Sequence, residues 1–198
     1  MKIKIEILMS VTAMVTAVAA VVVAIVQTQV MHDEAMMERE HARLSVLPSI
    51  EVYTHNHTAE GEGKFRIGLV NQGIGPAVIE GFTISLDKKP IHSWSAFVHE
   101  GTEGAVSIAG PDRNVGTVIQ TEIDPGLFLP VGERLAPLQL EGGEEVGTLL
   151  RSLGERLDIK VCYCSLYKEC WVSGLQEARP EPVNSCSAYK DRFFRNEE

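Results

Sequence analysis

At 198 residues the chain has room for one domain and an appendage, not for two full domains. Its formal net charge of -9 is unevenly spread: the first thirty residues hold only Lys2, Lys4 and Glu6, so the remainder carries -10. An acidic body of this kind excludes nucleic acid and anionic lipid as partners held by bulk electrostatics.

Residues 1–6 form a short polar start, expected to be cytoplasmic. From Ile7 to Val26 run 20 residues without a charge. At about 1.5 Å rise per residue they cover about 30 Å, the thickness of a hydrocarbon core. Ala17-Val18-Ala19 resembles a signal-peptidase site, but the apolar run continues to Val26, past the roughly 7–15 residues of a signal peptide's core. The expectation is therefore an uncleaved transmembrane helix over 7–26. Ser10, Ala13, Ala17, Ala20 and Ala24 recur along it at intervals of three and four. Such a stripe of small residues lets two backbones approach in lipid, so it is the candidate face for homo-oligomers or a partner helix; Ala as plain filler is the alternative. Residues 27–45 contain no Gly or Pro and predict a helical stalk. Val30, Met37 and Leu44 stand seven apart, too short a series to specify a coiled coil.

Pro48 ends the helical pattern, and the period then changes to two. Ile50, Val52 and Thr54 alternate with Glu51 and Tyr53. The same pattern recurs at Phe65, Ile67 and Leu69, at Phe82, Ile84 and Leu86, and at Ile159, Val161 and Tyr163. Further strands are expected near 115–123, 127–129 and 134–140. Turn residues separate them at Glu60–Gly63, Asp87–Pro90, Asp124–Gly126, Pro130–Gly132 and Glu141–Gly143. The fold class that follows is mainly β, an Ig-like β-sandwich over 46–174. Two short helices are expected within it, one at Ser93–His99. The other, at Glu144–Leu153, carries Val146, Leu149, Leu150 and Leu153 at helical spacing. Residues 175–198, poor in apolar side chains and holding Pro180 and Pro182, predict a largely irregular tail.

The segment Asn71-Gln72-Gly73-Ile74-Gly75-Pro76-Ala77 joins the end of one strand to the start of the next and demands a tight turn. In this it resembles a group of uncharacterised bacterial single-pass proteins, in which an N-terminal anchor precedes a small Ig-like domain with an N-x-G-x-G-P-A turn. The resemblance covers the anchor, the stalk and the first two strand pairs. It implies fold and placement, with Asn71, Gly73, Gly75 and Pro76 as structural residues, and it carries no active site.

All four cysteines fall in the last 37 residues. Val161 to Trp171 reads as a strand, a turn centred near Tyr167 and a return strand, which sets Cys164 opposite Cys170 at a separation a disulfide can bridge. Cys162 is then left for Cys186, a bond that closes a loop of about 25 residues and stabilises by ~3 kcal/mol in the chain-entropy model. A redox-active Cys162-Tyr163-Cys164 or a zinc site are the competing readings, but no CxxC knuckle is present. Paired cysteines indicate an oxidising compartment. With Lys2 and Lys4 before the helix and Arg39 and Arg43 after it, charge bias alone barely fixes orientation. The disulfides therefore decide it: N-terminus cytoplasmic, body periplasmic, at a bacterial inner membrane.

His55 and His57 would share one face of an extended strand and are the candidate metal ligands, with His92 or His99 as a third. GxSxG, HExxH and a phosphate-binding glycine loop are all lacking, and no cofactor is implied. The expected function is a membrane-tethered module that binds an unidentified protein, with Trp94, Trp171 and Tyr167 as contact residues. The alternative is an envelope metal sensor or enzyme using the histidines or the cysteine hairpin.

Overall fold

The computed structural model describes residues 2–103, 115–153, 156–190 and 194, which fall into two compact units, 1–44 and 45–198. The first unit is one helix, α1 (Lys2–Leu44), running unbroken from the apolar segment through the polar one. It is long and apolar enough to cross a membrane. The hydroxyls of Thr12, Thr16 and Thr28 donate to the carbonyls of Met9, Ala13 and Ala24 at 2.8–2.9 Å, so each is satisfied within the helix. Ser10, Ala13, Ala17, Ala20 and Ala24 lie on one face, within an arc of about 80°, and are exposed.

The second unit is mostly β, built from two antiparallel sheets. The first has the order β1 (Ile50–Ala59), β2 (Glu62–Asn71), β7 (Arg134–Gly142), β5 (Val115–Gln120). The second has the order β10 (Glu181–Val183), β9 (Cys170–Gly174), β8 (Leu157–Cys164), β3 (Ala77–Leu86), β4 (Lys89–Ile91), and β6 (Leu127–Leu129) pairs with the first residues of β3. The inward positions of both sheets form one core. Ile50, Val52, Phe65, Ile67, Leu69, Leu138 and Leu140 come from the first sheet, and Phe82, Ile84, Leu86, Ile159, Val161 and Tyr163 from the second. Alternation slips at Glu80, where the register of β3 against β8 shifts between Ile79 and Gly81. This bulge lets Ile79 and Phe82 both be buried although they are three apart.

Most expected strands are present, with altered limits. β1 runs on to Ala59, because its whole length pairs with β2 down to Ala59 opposite Glu62. β5 stops at Gln120 rather than 123, and β7 continues to Gly142. Pro137 sits in β7, an interior strand, and is tolerated because the β2–β7 register shifts between Ile67 and Leu69; its carbonyl accepts from the Thr121 N–H. The segment read as a turn around Pro90 also holds β4, an edge strand, where a missing N–H costs no ladder bond. Asp87 and Lys88 form the two-residue β3–β4 loop with φ of 51° and 65°, the left-handed backbone that hairpin turns of this length require.

Both expected helices form. α2 (Trp94–Gly101) is capped by Ser93, whose hydroxyl accepts the Ala96 N–H at 3.1 Å, and it buries Trp94, Phe97 and Val98. α3 (Glu144–Leu153) buries Val146, Leu149 and Leu153; the Leu150 side chain lies outside the described set. Among the described residues of the tail, 175–190 and 194, stand β10 and the short turn α4 (Ser187–Lys190), which the reading as irregular chain lacks. The tail is fastened across β3: Cys186 is buried, and a Cβ on Gly81 would lie 2.5 Å from that of Tyr189. The Phe194 N–H donates to the Phe82 carbonyl at 2.8 Å, and the Phe194 ring packs against Trp94 at a 49° tilt with centroids 4.4 Å apart. A few aromatic residues and one covalent bond thus fix a segment whose composition reads as loop.

Candidate functional site

His55 and His57 lie towards one end of the β body, while the Asn71–Ala77 turn and the cysteine hairpin, both singled out from the sequence, stand at the other. At that end stand residues 45–49, which lead into β1, the 72–76 loop, the 130–133 turn, the 165–169 hairpin and residues 184–187. Register places them together: Ile50 faces Asn71, Ala77 faces Leu129, Val78 faces Cys164, and Val183 faces Cys170.

Asn71 organises this end. It is fully buried, and its amide uses its full capacity. The Nδ2 group donates to the carbonyls of Gly75 at 2.9 Å and Leu129 at 3.1 Å, while Oδ1 accepts the N–H groups of Ser49 at 3.2 Å and Gly73 at 3.0 Å. Its backbone adds bonds to Glu133 and Gly132. One side chain therefore ties the entry to β1, its own turn and the β6–β7 connection. The two glycines are required by close approach. A Cβ on Gly73 would meet the Ser49 nitrogen at 2.4 Å, and one on Gly75 would meet Val46 backbone within 2.5 Å. Across that contact Gln72 donates to Ser49, and Ile74 and Gly75 donate to Leu47. The N-x-G-x-G-P turn is thus a clamp on residues 46–49 as well as a reversal between two strands.

The cysteines pair as the strand register suggests. Cys164 lies opposite Cys170 across the β8–β9 hairpin, and the two are bonded; Cys162 is bonded to Cys186. The hairpin tip is further fixed by Ser165, whose hydroxyl accepts from Tyr167 and Glu169 and whose backbone closes the turn with Glu169 and Lys168. Ser165 is not among the residues that the motifs single out; its sequence signal is a serine that follows a strand cysteine and precedes a four-residue turn. Behind the hairpin, burial pushes the Tyr163 phenol above the ordinary tyrosine range, opposed by hydrogen bonds with Ser173 and the Ile50 backbone.

Large apolar side chains gather at this end. Seven are exposed in the described β body, and six of them, Leu47, Ile74, Phe128, Val131, Leu166 and Tyr167, belong to these loops or to β6 beside them; Ile119 on the edge strand β5 is the seventh. Of the three expected contact residues only Tyr167 is exposed. Trp94 is core, and Trp171 is half-buried with its ring centroid 6.1 Å from that of Tyr163.

His55 and His57 do share an exposed face of β1, but Arg66 and Lys64 stand opposite them on β2. Cations beside imidazoles disfavour a metal ion there. Among the described residues they gather no further His, Cys, Asp or Glu into a three-ligand group. The three sulfurs that do cluster, of Cys164, Cys170 and Cys186, are engaged in disulfides. Elsewhere, a cavity of about 250 Å³ lies between the Gln120–Pro125 segment and the rings of Phe82, Trp94 and Phe194, with Glu122 and Asp124 at its edge. No protein-family model matches the chain, and no curated protein matches it.

Proposed function

We propose that the chain is a membrane-tethered binding module whose working surface is the apolar loop end of its β body. The observation that carries this reading is the concentration of six of seven exposed large apolar side chains at one end, on loops held by Asn71, Ser165 and two disulfides. Isolated surface leucines mean little, but several apolar tips gathered at one end of a fixed scaffold are what a partner surface needs. Fixing the loops beforehand lowers the entropy lost on binding.

α1 acts as a retained anchor with its N-terminus in the cytoplasm, and the body works in the periplasm of a bacterial envelope, where disulfides persist. Two packed antiparallel sheets support an Ig-like sandwich, although both disulfides here lie at one sheet and its tail instead of bridging the two sheets. The stripe Ser10, Ala13, Ala17, Ala20, Ala24 is the proposed face for self-association in the bilayer. The partner of the loop end is a protein with a complementary apolar surface, and no catalysis is assigned.

Photo-crosslinking from single positions in native membranes tests the reading. Probes at Ile74, Val131 and Tyr167 are expected to capture a common protein, while probes at Gly61 and Lys88 on the opposite end capture none. Equal capture from both ends contradicts it.

A further inference from the structure

Two disulfides act independently only when their sulfurs are kept apart, and here they are not. Cys164 Sγ lies 3.9 Å from Cys186 Sγ, across the boundary between the two bonds. Cys164, Cys170 and Cys186 bring their sulfurs within 4.8 Å of one another. Access to the two bonds is unequal. Cys164 is half-buried and lines an open groove with Leu166, Lys168 and Lys190; Cys186 borders the same groove but is only 3% exposed, and Cys162 has no exposed surface. An incoming thiolate therefore reaches the Cys164–Cys170 bond first. Exchange needs a thiolate in contact with a disulfide sulfur, and reduction of the outer bond creates that arrangement at Cys164.

We infer that Cys164–Cys170 is an exchange site for a dithiol reductant, and that Cys164 then passes the exchange on to the inner disulfide. In the first step one thiolate of the dithiol attacks the outer bond and forms a mixed disulfide. The second thiol of the reagent resolves it, so the dithiol is oxidised to its disulfide while Cys164 and Cys170 are reduced. In the second step the Cys164 thiolate attacks Cys186 Sγ. The Cys164–Cys186 bond forms, the Cys162–Cys186 bond breaks, and the electron pair goes to Cys162 Sγ, which takes a proton from solvent. Burial of Cys162 favours its thiol form. The tail thus moves its covalent anchor from a buried sulfur to an accessible one without being released. This inference stands on the sulfur contacts and is independent of the apolar-surface reading.

The full-length oxidised protein in detergent micelles is titrated with dithiothreitol, quenched with an alkylating agent and mapped by mass spectrometry. Chymotrypsin is the enzyme of choice, because cleavage after Tyr163 separates Cys162 from Cys164. The expected product carries a Cys164–Cys186 link with Cys162 and Cys170 alkylated, and it rises as the outer disulfide disappears. In Cys170→Ser the two isomers, Cys162–Cys186 and Cys164–Cys186, are expected within about tenfold of each other, and Cys162 alkylates about tenfold faster than in Cys164→Ser. Finding Cys162–Cys186 alone at every reductant level, with Cys164 and Cys170 alkylated, overturns the inference. So does simultaneous loss of both bonds. If Cys170→Ser fails to fold, the titration of the unsubstituted protein decides.

Discussion

The two ends of the β body are built from the same strands and differ in nearly everything else. One end is tied by a buried asparagine, a clamped glycine loop and two disulfides, and it exposes Ile74, Val131, Leu166 and Tyr167. The other ends in polar hairpins, Glu60-Gly61 and Asp87-Lys88, and is braced by an exposed ion pair between Asp87 and Arg156 at 2.9 Å. Exposing apolar tips is costly in water, and holding them rigid is what makes such tips useful to a partner. The polar end needs neither, and its turns are held by exposed polar contacts, Gly61 N–H to the Glu144 carboxylate and Asp87 to Arg156.

Asn71→Ala should break the contrast most severely. It leaves two buried carbonyls and two N–H groups without their partner, and at about 1 kcal/mol or more for each the loss should reach about 3–5 kcal/mol. Thermal unfolding of the detergent-solubilised chain, followed by near-UV circular dichroism, measures it. Asn71→Asp should be nearly as damaging, because a carboxylate would face the Gly75 and Leu129 carbonyls. Next in size is the paired substitution Cys162→Ser with Cys186→Ser. The bond spans 24 residues, and its loss should cost about 3 kcal/mol against about 2 kcal/mol for the outer bond, which spans 6. The same melts read both.

At the polar end the effects should be small. Lys88→Gly relieves a left-handed backbone at φ 65° and should stabilise by about 0.5–1 kcal/mol. Asp87 is held below the ordinary carboxylate range chiefly by its hydrogen bond from Arg156. Its contribution is therefore present above the unfolded carboxylate pKa and fades as pH falls through the lowered value. Being exposed, the pair should be weak, and added salt should erase the acid-side difference between the parent and Asp87→Asn. Smallest of all in stability is Leu166→Ser with Tyr167→Ser, expected within about 0.5 kcal/mol of the parent, since both side chains are exposed and neither belongs to the core clusters. A large loss there would mean that these side chains belong to the core and not to a surface.

How much of this the sequence discloses follows the range of each interaction. Period-two alternation locates Phe65–Leu69 and Ile159–Tyr163 because burial on one face is a local pattern. The disulfide pairing is legible for the same reason, since a hairpin fixes which cysteines face each other. Pro90 misleads, because whether a proline ends a strand depends on an edge that only the neighbouring strand creates, whereas the strand expected over 134–140 does run through Pro137. The tail misleads in a similar way. Phe194 and Tyr189 find their places on β3, more than a hundred residues away in sequence, so local composition carries no trace of that docking. The turn around Asn71 is visible as a motif, but its grip on Ser49 and Leu129 is not, since both contacts are long-range. Nor does the sequence reveal that the exposed apolar side chains share one end, which needs the register of two sheets at once.

Hydrogen exchange on the full-length chain tests the asymmetry most directly, comparing native membranes with the purified protein in detergent. Amides of 72–75, 131–133 and 165–168 should gain protection in the membrane preparation, while those of 60–61 and 86–89 exchange alike in both. Uniform protection, or protection confined to the polar turns, would contradict the assignment of the apolar end as the working surface.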